Sequence, residues 1–159
     1  MKGRYVARAP FQVLVIPYRF EDDGAMRYAL FRRSERGGGY WQAIAGGGED
    51  GESAEDAARR EAYEEAGISV DATYVRLSTV TSIPVVNFAG TDWGDDVLVI
   101  PEYAFGVEVT SRDLTISDEH VEYCWVPYGD ARDLVRWDSN RTALWELNRR
   151  LTSRSRTGP

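Results

Sequence analysis

Three glutamates, Glu61, Glu64 and Glu65, and a glycine run, Gly46-Gly47-Gly48, lie close together in the chain and are the residues best suited to chemistry. In a helix turning about 100° per residue, the three glutamates share an arc of about 120° with Ala54, Ala57 and Ala58. Asp56, Arg59 and Tyr63 lie on the other side. A stripe of small residues packs inward, so the glutamates lean toward the fold. Carboxylates crowded on such an arc repel one another and lose hydration, which costs stability unless positive charge sits among them. Lys2 is the only lysine, and Arg60 lies at the edge of the arc. A hard divalent cation is a natural partner, because Mg²⁺ takes carboxylate oxygens and water. A cation held there can grip phosphates and activate water. The same spacing also describes a solvated acidic helix, and spacing alone leaves both readings standing.

The glycines read as a loop ahead of the helix, where backbone N–H and C=O groups can approach a ligand closely; many such clusters are simply turns. Glu52 stands eight residues before Arg60, so an ion pair between them would pin loop to helix. As a surface pair they would contribute only ~0–1 kcal/mol.

The elements that must position these groups follow from local pattern. Residues 53–66 form the best helix: Ser53 and Asp56 make a capping-box-like start, acids fill the first turn, and Gly67 supplies the stop. Strands are expected over 11–20, 27–33, 40–45, 70–80, 85–89, 97–109 and 120–126, with a hairpin joining the first two. Residues 130–136 and 141–151 read as helices, the latter with Leu144, Leu147 and Leu151 on one face and Ser139 or Asn140 as its N-cap. Strands and helices without regular alternation predict a mixed sheet flanked by helices. The 159 residues suit a single domain, 1–159, with 152–159 a frayed polar tail.

Composition bounds the function. The net charge is −7, from 26 acids and 19 bases, and residues 46–68 alone carry eight acids and two bases. No basic footprint for nucleic acid or acidic membrane is present. Cys124 is the only cysteine, so neither a disulfide framework nor a cysteine zinc site is available, and a reducing compartment fits. No apolar run is long enough to span a bilayer, and the N-terminus has no signal-type run. The expectation is a cytoplasmic protein, monomer or homodimer.

Gly46, five residues, Glu52, seven residues, then Arg60-Glu61-Ala62-Tyr63-Glu64-Glu65-Ala66-Gly67-Ile68 resembles the signature of the Nudix hydrolases. Only Ala62 departs, standing where the family usually carries a larger apolar residue. The resemblance covers 23 residues, and the strand order on either side extends it to about 5–151. It implies an α/β fold, a Nudix-type α/β/α sandwich with a central mixed β-sheet, and Mg²⁺- or Mn²⁺-dependent hydrolysis of a small polyphosphate. By the same resemblance, Gly46, Glu61, Glu64 and Glu65 hold metal, Glu61 also serves as a base, and Glu52, Arg60 and Gly67 are structural.

Further residues refine the expectation. Glu119-His120 ahead of Trp125 resembles a Nudix loop in which the glutamate is a metal ligand or catalytic base; His120 reads as a structural hydrogen-bonding residue. One of Arg32 and Arg33 should face the binding side, since strand neighbours alternate, and hold a phosphate. Trp41 packs in the core or stacks on a substrate ring. Residues 137–141, Trp-Asp-Ser-Asn-Arg, with Tyr40-Trp41-Gln42, are similar to the dihydroneopterin triphosphate pyrophosphohydrolases. The implied reaction releases pyrophosphate from a nucleoside triphosphate-like substrate. An asymmetric dinucleoside polyphosphate hydrolase and a non-catalytic nucleotide-sensing domain are the alternatives. Residues 82–96 form either a substrate-shaping loop or an extended hairpin.

Overall fold

The computed structural model describes residues 7–88 and 90–156; the N-terminal residues 1–6, and with them Lys2, lie outside the described residues. The elements run β1 (Arg8–Phe20), β2 (Met26–Arg33), β3 (Trp41–Gln42), β4 (Ile44–Glu49), α1 (Ala54–Ala66), β5 (Tyr74–Pro84), β6 (Val99–Glu108), β7 (His120–Val126), α2 (Tyr128–Leu134) and α3 (Asp138–Arg156). The strands make one seven-stranded mixed sheet, β3-β2-β1-β6-β5, with β4 added to β1 and β7 to β2. Among the described strands β1 and β6 pair in parallel and the other strand pairs are antiparallel, with an isolated parallel bridge between Trp41 and Val135.

Two strands fork. The end of β1, Tyr18–Phe20, pairs with β2, while Gln12–Val15 pairs with β4. Alternation along β1 sends Val13 and Val15 to one face and Leu14 and Ile16 to the other. The first face packs on Ala57, Ala58, Ala62 and Ala66 of α1. The second packs on Ala143, Leu144, Leu147 and Leu151 of α3 and Ala131 of α2. This is the expected α/β/α sandwich. The alanine stripe brings α1 close to the sheet, and Ala62, the departure from the signature, is fully buried within it.

The ends of α1 form for the reasons read from the sequence. Ser53 Oγ accepts from Asp56 N at 3.1 Å, and Gly67 closes the helix at φ 69° with its N–H on Tyr63 O.

Several boundaries differ. The glycine run is not a loop but the body of β4, paired with β1 from Val13↔Gly46 to Gln12↔Gly47. A glycine-rich strand is stable here because neighbouring side chains occupy the missing Cβ positions: Glu61 at Gly46, Arg8 at Gly47 and Phe11 at Gly48. Where a strand was expected over 85–89, residues 85–88 do not form one. β5 runs on to Pro84, and the chain turns through a 3₁₀ helix at Val85–Asn87; Ala89 lies outside the described residues. β5 starts at Tyr74 rather than 70, because Arg59 Nη1 ties down the carbonyls of Val70 and Ala72 in a turn. Helix α3 begins at Asp138, which places Ser139 and Asn140 inside its first turn instead of at the N-cap. It continues to Arg156, with Leu151 buried on the way. No helix among the described residues is long and apolar enough to cross a membrane.

Candidate active site

Where β1 forks, a cavity of about 700 Å³ opens between the Gly46–Gly47 strand, the end of α1, the residue before β7 and the start of α3. Glu61 and Glu65 project from the last turns of α1 into it, 9% and 5% exposed. Their position follows from the inward alanine stripe. Gly46 leaves the room: a Cβ there would run into the Glu61 carboxylate.

Arg60 organises the acidic segment. Its Nε and Nη2 donate to the two carboxylate oxygens of Glu52 at 2.9 and 3.0 Å, and Nη2 also reaches Gly47 O at 2.9 Å. Its Nη1 donates to Glu61 Oε1 at 2.9 Å and Glu64 Oε2 at 3.2 Å. Glu52 in turn accepts from Glu49 N, which closes the turn after β4. Burial opposes ionisation of Glu52, but the hydrogen bonds from Arg60 and Glu49 N together with the Arg60 charge outweigh it and hold its pKa below the ordinary value. One guanidinium thus joins β4, the following turn and α1.

The glutamates are not equivalent. Glu64 is exposed and held by Arg60 at the helix edge. A group of possible ligand atoms among the described residues is formed instead by Glu65, Glu119 and His120, all within 4.8 Å of one another. His120, buried against the Phe31 ring, sits 3.3 Å through Nε2 from Glu65 Oε2. The Glu65 carboxyl is pushed up to about 10, first by burial and then by Glu61 and Glu119. Glu61 is also raised, because burial outweighs its bond to Arg60. Two buried acids and a third at the cavity edge form a site that cannot ionise fully without added positive charge. The donor set of carboxylate oxygens around a narrow gap fits a hard divalent cation.

Of the two arginines ending β2, the structure brings only Arg33 to the cavity. Its Nε is buried without a hydrogen-bond partner. Arg32 is held away: its Nε donates to Glu122 Oε1 at 2.6 Å, and it also pairs with Glu35. Arg32 is registered against Trp41, and Trp41 packs on the α2–α3 core instead of lining the cavity. Trp41 O is further tied to Arg136 N of the segment after α2. Of the alternatives read from the sequence, Arg33 is therefore the arginine at the cavity while Arg32 is held by Glu122 and Glu35, and Trp41 takes the core position.

Arg8, Gln12 and Glu102 are among the cavity residues that were not anticipated. The signal was a break in alternation. Gln12 shares the face of Leu14 and Ile16, and Glu102 the face of Ala104, where apolar residues are expected. Asn140, anticipated only as a cap, is 2% exposed, and its Oδ1 accepts from Ala43 N at 2.8 Å. Ser82, Ile83 and Phe88, from the first part of the 82–96 stretch, line the cavity.

Residues 10–145 match the NUDIX domain family, and the chain belongs to it and to the Nudix hydrolases expected from the sequence. Among solved structures it is similar to a Listeria monocytogenes protein described as a NUDIX hydrolase, with 40% identity and a TM-score of 0.81, covering 92% of this chain and 97% of that one. Dihydroneopterin triphosphate diphosphatase of Escherichia coli strain K12 is 28% identical over 142 residues, covering 87% of this chain and 92% of that protein. Nucleoside triphosphatase NudI of Escherichia coli O81 is 32% identical over 124 residues, covering 76% and 83%.

Proposed function

We propose that this chain is a Mg²⁺- or Mn²⁺-dependent pyrophosphohydrolase that converts a nucleoside triphosphate-like substrate, with dihydroneopterin triphosphate the leading example, to monophosphate and pyrophosphate. The observation that carries this reading is one cavity that joins the carboxyls of Glu61, Glu65 and Glu119 to the guanidinium groups of Arg8 and Arg33. Two relatives are named for triphosphate substrates, which supports the same class.

Glu61, Glu65 and Glu119 would hold the cation, with Gly46 O beside them and Glu64 at the outer edge. When bound, the cation neutralises polyphosphate oxygens and lowers the pKa of water. His120 Nε2–H donates to ionised Glu65 and fixes its orientation, the outer hydrogen bond that metal-binding side chains commonly need. Arg33, with its unpartnered Nε, binds a phosphate group through two of its N–H donors. Glu119 is the better placed general base, because Glu61 is already engaged by Arg60. The base takes the proton of the attacking water while Arg33 keeps the phosphate chain in line.

The test is a product-resolved hydrolysis screen with Mg²⁺ over nucleoside triphosphates, dihydroneopterin triphosphate, sugar nucleotides and dinucleoside polyphosphates. Pyrophosphate and a monophosphate are expected, and Glu61→Gln and Glu65→Gln should each abolish turnover while keeping the fold. A nucleoside triphosphate released from a dinucleoside tetraphosphate would favour the dinucleoside polyphosphate reading. Tight nucleotide binding with no product under either metal would favour the sensing reading.

A further inference from the structure

At the end of the cavity away from α1 stands a further buried acid, Glu102, that the hydrolytic chemistry does not use. Glu102 on β6 is 5% exposed, lines the cavity, and has one carboxylate oxygen, Oε1, with no hydrogen-bond partner of ordinary geometry. Its other oxygen, Oε2, accepts from Gln12 Nε2 at 2.9 Å. The orientation of Gln12 is set by Arg8, whose Nη2 donates to Gln12 Oε1 at 3.0 Å. Arginine can only donate, so the Gln12 amide must turn its NH₂ to Glu102. The chain Arg8 to Gln12 to Glu102 therefore has one direction, and Glu102 ends it as an acceptor.

The place of this acid fits a substrate's ring rather than its phosphates. Gln12 is registered against both Gly47 of β4 and Glu102 of β6. Glu102 is thus two strand spacings from the glycine strand, about 10 Å. The same cavity offers surfaces suited to a flat ring: Trp137 and Tyr40 line it and meet edge-on at 5.3 Å between centroids, and Ser139, two residues after Trp137, reaches Glu102. Burial raises the Glu102 carboxyl, and Gln12 and the nearby Ser139 hydroxyl only partly counter it. A ligand that supplies N–H donors would relieve that cost.

We infer that Glu102 selects the substrate's heterocycle, accepting hydrogen bonds from the adjacent ring N–H and exocyclic NH₂ of a 2-amino-4-oxopyrimidine edge, the edge shared by guanine and pterin. The inference rests on the nucleotide-hydrolase reading for the presence of such a ring. A carboxylate accepts two parallel donors. Adenine and cytosine place an acceptor beside their amino group, and uracil flanks its single N–H with two carbonyls, so each sets an acceptor against the carboxylate. An edge that satisfies both oxygens is favoured by about 10- to 100-fold over one that does not.

Equilibrium binding of GMP, AMP, CMP and UMP, measured by calorimetry with Mg²⁺ present, tests this apart from hydrolysis. Wild-type protein should bind GMP at least about tenfold more tightly than UMP. Glu102→Gln should weaken GMP about tenfold or more and leave UMP unchanged, because the amide replaces one acceptor with a donor. Gln12→Leu keeps the carboxylate and removes only its support, so it should weaken GMP by a smaller factor. Wild-type affinities within threefold of one another would overturn the inference without any variant. So would an unchanged GMP preference in folded Glu102→Gln. GMP preference without triphosphate hydrolysis would support the role of Glu102 and refute the hydrolase reading; hydrolysis with no base preference would do the reverse.

Discussion

Replacing Gly46 with alanine should damage turnover far more than stability, and replacing Gly48 should do the opposite. Both glycines sit in β4 without positive φ, so backbone strain does not distinguish them. Their neighbours do. A Cβ at position 46 would strike the Glu61 carboxylate, the far end of a flexible side chain. That group can swing aside, but by about 1 Å or more, losing its 2.9 Å bond with Arg60. A misplacement of about 1 Å near reacting groups costs about 10²-fold in rate. Folding stability should change by less than about 1.5 kcal/mol, the net value of one hydrogen bond. At position 48 the obstacle is the Phe11 ring, which packs with Tyr103 at 6.1 Å and against the α1-side core. Moving a packed ring costs about 1–3 kcal/mol, while Glu61 stays in place. Urea unfolding and steady-state kinetics under saturating Mg²⁺ on both variants would show the crossover. Full activity in folded Gly46→Ala would refute the idea that this glycine exists to seat Glu61.

Arg33→Ala should raise KM for a triphosphate about tenfold or more, whereas Arg32→Ala, which only breaks contacts with Glu122 and Glu35, should leave kinetics unchanged; the measurement is steady-state kinetics on both. Without cation, Glu65 keeps its proton in the folded state up to about pH 10 but releases it near its ordinary value of 4.5 when unfolded. The folded state then binds more protons, so this contribution is complete below about pH 4.5 and is lost as pH rises toward 10. Thermal melts of cation-free protein should therefore fall across this window, and Mg²⁺ should raise them most at the alkaline end, releasing a proton that calorimetry in two buffers would detect. Glu146 of α3 accepts from Ser78 N, Thr79 N and Thr79 Oγ1 at 2.6–2.8 Å. Burial opposes its ionisation, but bonds from Thr79, Ser78 and Arg150 bring it down to about 2. Glu146→Gln should cost about 2 kcal/mol near neutrality by chemical denaturation. Its depressed pKa means that the wild-type advantage is present above about pH 4.5 and disappears as pH falls toward 2.

Helix α1 was legible from the chain alone because each of its signals is local: the Ser53 cap, the alanine stripe, the Gly67 stop and the carboxylates at fixed angles to that stripe. The same locality made the family signature readable, since Glu52 and Arg60 lie eight residues apart and need only one turn and two helical turns to meet. Strands were legible where β-forming residues run together, as in β7, HVEYCWV, whose span matches the expected His120 to Val126. The glycine run misled because glycine carries no side chain to report its environment. Gly46–Gly48 became a strand only because Glu61, Arg8 and Phe11, distant or across the sheet, fill its missing Cβ space. Which of Arg32 and Arg33 faces the cavity is a question of strand facing, and it was decided by pairing with Trp41 on one side and His120 on the other. The cluster of Glu65, Glu119 and His120, and the cavity that joins it to Glu102, bring together α1, β6 and the residues around the start of β7. No local pattern encodes such distances: the residue types that can do chemistry are set by the sequence, and which of them meet is set by the packing of α1 and α3 on opposite faces of the forked sheet.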